Sequence, residues 1–283
     1  MTVSPETLAA FRADLGAVRC HDDPRQLEAR SRDYYWYSPI LAAELDGRIG
    51  QLLVLPETEA EVVTVAAAAA RHGVSLTVRG GGTGNYGQCV PLEGGVILDV
   101  TRLNRVLEIT PGRVICEAGA RIEKVEQAVA ESGQMLAMFP STKRHATMGG
   151  FIAGGSGGIG SLRHGMLRDD GNVAYARIVT VEPEPQVIEL RGHDIQKVQH
   201  AYGTNGIITA LDFPLVALTD WRHVIALFDG YDVALGFAQA AQARSLDTYL
   251  LTVVERRIAR FYKRLTEHFP SDRDGVFAMV APE

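Results

Sequence analysis

Four glycines fall among the five residues Gly80–Gly84, behind a short apolar strand in the stretch Leu76-Thr-Val-Arg-Gly-Gly-Gly-Thr-Gly-Asn-Tyr-Gly-Gln88. Glycine removes every Cβ there and frees φ, so successive N–H groups can converge on one anion. Behind a strand in an enzyme, the commonest such anion is a nucleotide phosphate or pyrophosphate. A plain glycine-rich hairpin turn is the structural alternative. Two familiar phosphate loops do not fit. A P-loop needs Lys-Ser or Lys-Thr after its last glycine, and Asn85 and Tyr86 stand there. A Rossmann turn opens a helix, which Asn85, Tyr86, Gly87, Pro91 and the pair Gly94-Gly95 all oppose.

A second cluster places seven glycines between Gly149 and Gly160. So few side chains build little core, and ordering the backbone is costly in entropy, so a flat or extended cofactor is the natural filling. Phe151, Ile152, Ile159 and Leu162 distinguish the segment from a flexible linker. Pro140, Ser141 and Thr142 precede it, with hydroxyls able to donate to phosphate or ribose. Tyr202-Gly-Thr-Asn-Gly-Ile-Ile-Thr209 forms a third loop.

Regular elements must position these loops. The pattern predicts a helix over Pro5–Leu15, then the aromatic cluster Tyr34-Tyr-Trp-Tyr37, which suits anchoring an N-terminal arm. A buried strand is expected over Gln51–Leu55. Thr58 and Glu61 form a capping box for a helix through His72, stopped by Gly73. Val74–Val78 is the next strand, so one βαβ unit delivers the chain into the glycine loop at a strand's carboxyl end. Short strands follow at Gly95–Val100, Val106–Ile109 and Arg113–Glu117, then a helix at Ile122–Ser132. Strands are expected at Ala176–Glu182 and Val187–Leu190, a helix at Ile195–Ala201, and a strand ending near Phe213. Beyond Thr219 the expectation is a strand (Trp221–Phe228), helices (Val233–Ala243 and Glu255–His268) and a strand (Gly275–Val280), the opening of a second α/β unit. The fold class is α+β.

With 46% apolar and 22% charged residues the composition is that of an ordinary soluble globular protein. A net charge of −6 leaves no basic footprint for nucleic acid or an anionic membrane surface, so a small-molecule substrate is expected. No apolar run is long enough for an integral membrane segment, and the N-terminus carries no signal-peptide pattern. Cys20, Cys89 and Cys116 lack metal-ligand spacing, so no metal site is expected and a reducing cytoplasm is the simplest home. Cys89 reads as a small buried thiol more readily than as a nucleophile.

Together, Arg79-Gly-Gly-Gly-Thr-Gly84, the Pro-Ser-Thr ahead of Ala146-Thr-Met-Gly-Gly150, the glycine cluster, Arg168-Asp169 and Gly203-Thr-Asn-Gly-Ile-Ile-Thr209 resemble the FAD-linked oxidases of the vanillyl-alcohol oxidase and p-cresol methylhydroxylase family. The resemblance is closest to its glycolate oxidase and D-lactate dehydrogenase branch. It implies an N-terminal arm (1–50), a two-subdomain FAD-binding domain (51–218) and a partial or shortened cap domain for substrate (219–283). By resemblance Arg79, Gly80, Gly81, Gly82, Thr83, Gly84 and Asn85 would cradle the pyrophosphate through backbone amides. Pro140, Ser141, Thr142, Thr147, Gly149 and Gly150 would line its other side. Ala153, Gly154 and Gly155 would lie near the isoalloxazine, and Asn205, Gly206, Ile207 and Ile208 near the adenine or flavin end. Members that bind flavin covalently through the first loop carry histidine where Thr83 stands, so a noncovalent FAD is expected. Asn205 stands where the third loop usually has glutamate. No histidine-rich motif precedes Glu283, so the sequence is expected to be a fragment, a shortened member or one subunit of an assembly.

The implied activity is oxidation of a 2-hydroxy acid or similar alcohol by hydride transfer to flavin N5. His145 and His164 are candidate bases, and Arg163 and Arg168 could bind a substrate carboxylate. A histidine bonding backbone, and Arg168 pairing with Asp169 or Asp170, are the structural alternatives. A second reading is a flavin-binding electron-transfer or assembly subunit without substrate chemistry, with a partner subunit or a homo-oligomer.

Overall fold

The computed structural model describes residues 2–34 and 37–282; Tyr35 and Trp36 of the aromatic cluster lie outside the described residues. The chain divides into two units. One comprises the chain up to Leu136 with Pro140–Gly157 and Leu167–Val216, the other Ala137–Phe139, Gly158–Met166 and the chain from Ala217 onward.

In the first unit, Ser4 caps helix α1 (Pro5–Asp14) by accepting from Thr7 N, and the chain continues through β1 (Cys20–His21), α2 (Pro24–Arg30) and α3 (Pro39–Leu45). Strand β2 (Leu52–Val54) is buried at every position. Helix α4 (Glu59–His72) runs between the expected signals, Thr58 accepting from Glu61 N at 3.2 Å and Gly73 closing it at φ 63°. The reciprocal half of the capping box is displaced by one residue, because the Glu61 carboxylate takes the N–H of Glu57. Strands β3 (Leu76–Arg79) and β4 (Val96–Asp99) complete a sheet ordered β1-β2-β4-β3, in which β2, β4 and β3 are parallel and β1 adds antiparallel to β2.

A second sheet is built from β5 (Val106–Thr110), β6 (Arg113–Glu117), β7 (Gln134–Leu136), β8 (Tyr175–Val179), β9 (Val187–Arg191) and β10 (Ile207–Ala217). Its order is β5-β6-β10-β8-β9, with β7 also pairing β10. Helix α5 (Ile122–Ala130) buries Ile122, Val125 and Val129, and α6 (Met148–Gly154) begins at Thr147. One core joins Phe11 of α1 and Leu15 just beyond it, Leu52 and Val54 of β2, Val62 and Val65 of α4, and Val179 and Ile207 of the second sheet. Full burial of each valine contributes roughly 1.5–3 kcal/mol, and the run Ala66–Ala69 lets α4 approach closely. From the first fifty residues, Phe11, Leu15 and Val18 are buried in this core.

Two expectations fail here. Ile195–Ala201 is not an α-helix; a 3₁₀ segment, Gly192–Lys197, gives way to a loop in which His200 and Tyr202 have positive φ. The strand expected to end near Phe213 continues to Ala217, and Pro214 sits opposite Arg113 at the end of β6.

The second unit contains the short helix α7 (Ser161–His164), β11 (Arg222–Phe228), α8 (Tyr231–Ala243), β12 (Thr248–Val254), α9 (Arg256–Ala259) and β13 (Asp274–Val280). Its sheet is ordered β11-β13-β12 and is antiparallel throughout, so it is no α/β unit. Ala234 and Ala238 of α8 pack on Val276, Ala226, Phe228, Leu251 and Val253. The helix expected over Glu255–His268 is broken into α9 and a 3₁₀ turn, Lys263–Leu265. Tertiary contacts outweigh its helical pattern. Arg256 is drawn onto the buried Asp274, while Tyr262, Phe269 and Phe277 form an edge-to-face cluster with centroids 5.1–6.2 Å apart.

Candidate cofactor cleft

Strand β3 delivers the chain at Arg79 into a loop whose glycines leave no room for a Cβ. A Cβ on Gly80 would overlap the Thr147 hydroxyl, and one on Gly81 the carbonyl oxygen of His145. Gly82 adopts φ 61°, and a Cβ there would meet the Arg79 guanidinium. Among the described residues no acceptor partners the N–H groups of Gly80, Gly81, Gly82, Thr83 or Gly84. Unpartnered amides in a cradle that a Cβ would fill match an anion's requirements.

Arg79 lies beneath the loop, buried, donating through Nη1 to the carbonyls of Arg30 (3.1 Å) and Arg32 (2.7 Å) and to Cys89 Sγ (3.0 Å). Its side chain ties the N-terminal segment to the loop. Asp33 secures the same loop from the other direction. Its carboxylate accepts from Gly87 N (2.7 Å) and from the Cys89 thiol, while Tyr34 N donates to Gly82 O (2.7 Å). Burial pushes the Cys89 thiol up to about 12, so it remains protonated and unreactive.

The glycine loop faces the start of α6. Thr147 Oγ1 accepts from Gly150 N (3.3 Å), Met148 N donates to Ala120 O (2.9 Å) and Gly149 N to Ala118 O (2.8 Å). The helix start is thus satisfied within the protein, whereas the amides of the glycine loop are the unpartnered ones. One cleft of the first unit is lined by Gly80, Gly81, Gly82, Thr83, Gly84, Thr147, Gly149, Gly150, Ala153, Gly154 and Ile208 of the expected cofactor residues. Asp33, Val78, Gln88, Cys89, Val100, Ala118, Tyr202 and Gly203 line it too.

The family model described as "FAD binding domain" matches residues 50–190. This segment belongs to the FAD-binding domain family. The resemblance of the loops to FAD-linked oxidases of the vanillyl-alcohol oxidase type holds with it. Over 219 residues the chain is 29% identical to the mitochondrial D-2-hydroxyglutarate dehydrogenase of Rattus norvegicus, covering 74% of this chain and 39% of that protein. It is 35% identical over 117 residues to the glycolate oxidase subunit GlcD of Escherichia coli K12, covering 41% of this chain and 23% of the other. The chain spans less than half the length of these relatives. A solved alkyldihydroxyacetonephosphate synthase superposes with TM-score 0.80 at 19% identity, covering 99% of this chain and 57% of that one, which places both in one fold.

Several expected residues stand outside the cleft lining of the FAD-binding domain. Asn85 and Ser141 are exposed, and Thr142 uses its carbonyl to bind His145 N and Ala146 N, making a turn with Pro140. Arg79 acts from below. Gly155 packs against His200, Ile207 is core, and Gly206 lies against Ile178. Asn205 donates to Lys197 O at 2.7 Å, tying down the preceding 3₁₀ segment.

The catalytic candidates are divided between the two units. His145 is exposed and stacks on Tyr34 with centroids 5.5 Å apart. His164 belongs to the second unit, edge-on to Tyr249, with its pKa lowered by burial and then by the Arg163 charge. Arg163 pairs with Asp247 and lies over Trp221. Arg168 is exposed, its carbonyl accepting from Gln196, while Asp170 approaches His193 Nδ1 at 3.8 Å. Among the described residues no cluster of histidine, cysteine or carboxylate side chains could hold a metal, and no helix is long and apolar enough to cross a membrane.

Proposed function

We propose that the chain is an FAD-dependent oxidoreductase acting on CH–OH groups, with a 2-hydroxy acid or similar alcohol as substrate and FAD held noncovalently. The carrying observation is the glycine-rich cradle Gly80–Gly84, four glycines and Thr83 with unpartnered amides, inside a segment of the FAD-binding domain family. Its amides bind the pyrophosphate, Thr147, Gly149 and Gly150 close the opposite wall, and Ala153, Gly154 and Ile208 give an apolar surface for the flat parts of the cofactor. When bound, a flavin supplies hydride acceptance from the alcohol carbon. Asp33 and Arg79 hold the loop in place. The relatives named above, a D-2-hydroxyglutarate dehydrogenase and a glycolate oxidase subunit, suggest the substrate class. Thr83 offers no nucleophilic nitrogen for a flavin bond, which supports a dissociable cofactor, and three free cysteines suit a reducing cytoplasm.

The test is anaerobic addition of a panel of 2-hydroxy acids to the FAD-loaded protein. Bleaching of the visible flavin band by one of them supports the reading. A flavin reducible by dithionite yet untouched by the whole panel supports the second reading, a flavin-binding electron-transfer or assembly subunit. That alternative is favoured by one observation: neither His145 nor Arg168 lines the cleft of the first unit.

A further inference from the structure

Besides Ser245, the only non-glycine residues with positive φ among the described residues are His200 (56°) and Tyr202 (52°), two positions apart where the chain enters the third loop. Such backbone is unfavourable for residues with a Cβ and persists only where the surroundings impose it. Here α6 imposes it. His200 N donates to Ile152 O at 3.1 Å and Tyr202 N to Ala153 O at 3.0 Å, so the loop satisfies carbonyls at the end of that helix. Gly155, itself left-handed, leaves just enough space for His200, since a Cβ there would meet its side chain. The side chains are joined as well: His200 Nε2 lies 2.7 Å from the Tyr202 hydroxyl, with the rings edge-on at 5.1 Å. Gly203 packs on Val78, and Tyr202 joins Val78, Val100, Ala118 and Ile208 in lining the cleft. Apart from its phenol these are aliphatic groups, so the cleft combines an amide cradle for anions with an apolar surface carrying one aromatic face.

Building on the FAD reading, we propose that Tyr202, fixed by His200, is the wall on which a flat heterocycle of the bound dinucleotide packs, and that the left-handed backbone at both residues is retained to present that ring. A tyrosine face and aliphatic walls recognise a conjugated ring by stacking and area burial. Tyr202 is a positioning residue: it moves no proton or hydride, and its hydroxyl is engaged by His200.

The experiment titrates apoprotein with FAD, FMN and ADP separately, for wild type and for Tyr202→Phe, Tyr202→Leu and Tyr202→Gly. The leucine and glycine variants are expected to bind FAD about tenfold or more weakly, while phenylalanine, which keeps the ring, stays within about threefold of wild type. Glycine is at home at φ 52°, so the Tyr202→Gly apoprotein keeps or raises its Tm while losing affinity, a split that a purely structural tyrosine would not give. A parallel loss for ADP assigns the adenine, and a parallel loss for FMN with an altered flavin spectrum assigns the isoalloxazine. Leucine and glycine variants that bind all three ligands like wild type overturn the proposal while the FAD reading stands. Wild-type apoprotein that takes up none of them overturns both.

Discussion

Gly154→Ala separates the requirements of the cofactor from those of the fold. Gly154 is the last residue of α6 and lines the cleft, and a Cβ built there meets no protein atom within 4 Å. Its backbone φ lies outside the left-handed region, so alanine fits without strain. The apoprotein therefore gains from reduced backbone entropy of the unfolded chain, by roughly 0.5 kcal/mol at a helix end. For a unit of this size the gain raises Tm by about 1–2 °C. On the proposed placement the new methyl projects into the space FAD would fill, where overpacking costs about 1–3 kcal/mol, or roughly 5- to 150-fold in FAD affinity. Differential scanning fluorimetry of the apoprotein and flavin-fluorescence titration of both proteins read the two effects. A variant that binds FAD as tightly as wild type would refute the placement of cofactor against α6. A loss of apoprotein stability would refute the reading of Gly154 as open space.

Gly81→Ala behaves oppositely, because its Cβ meets the His145 backbone carbonyl; we expect about 1–3 kcal/mol of destabilisation in the apoprotein itself, visible in urea unfolding. Acid precipitation should release all flavin into the supernatant, and flavin retained on the polypeptide would contradict the role given to Thr83. Iodoacetamide at neutral pH should label Cys20 and spare Cys89 and Cys116, whose thiols burial pushes up to about 12; rapid labelling of all three under native conditions would show that the cores open readily. In the second unit, Arg256 holds the Asp274 carboxyl below its usual range. A carboxylate depressed on folding contributes stability above its unfolded pKa and loses it as pH falls through the folded one, so this contribution fades below about pH 4. Asp274→Asn should flatten the acid limb of the stability profile and cost about 1.5–3 kcal/mol near neutrality.

How much was legible in the sequence follows from how local each signal is. Helix α4 was readable because Thr58, Glu61 and Gly73 announce its ends in adjacent residues, and the glycine loop because four glycines behind a strand have few other uses. Strand β12, Thr248-Tyr-Leu-Leu-Thr-Val-Val254, is rich in strand formers yet falls outside the elements expected from the sequence. The distant lining was not readable. Asp33 comes from the N-terminal segment, Val100 and Ala118 from beside strands of different sheets, and only the assembled topology brings them to Gly80. The positive φ of His200 and Tyr202 leaves no trace in residue type, since it is imposed by carbonyls of α6, far earlier in the chain.

Strand β10 pairs with β6, β7 and β8, and the two hairpins β5-β6 and β8-β9 join only through it. During synthesis both hairpins emerge before it, each with an unsatisfied edge, and wait for the last segment of the first unit. Assembly of the second sheet is therefore a late, long-range event with a high loop-closure cost. Nascent chains arrested before Ile207 should remain protease-sensitive across 106–191, and chains arrested well beyond Ala217 should become resistant together. A stable β5–β9 fragment lacking β10 would show that the hairpins do not depend on it.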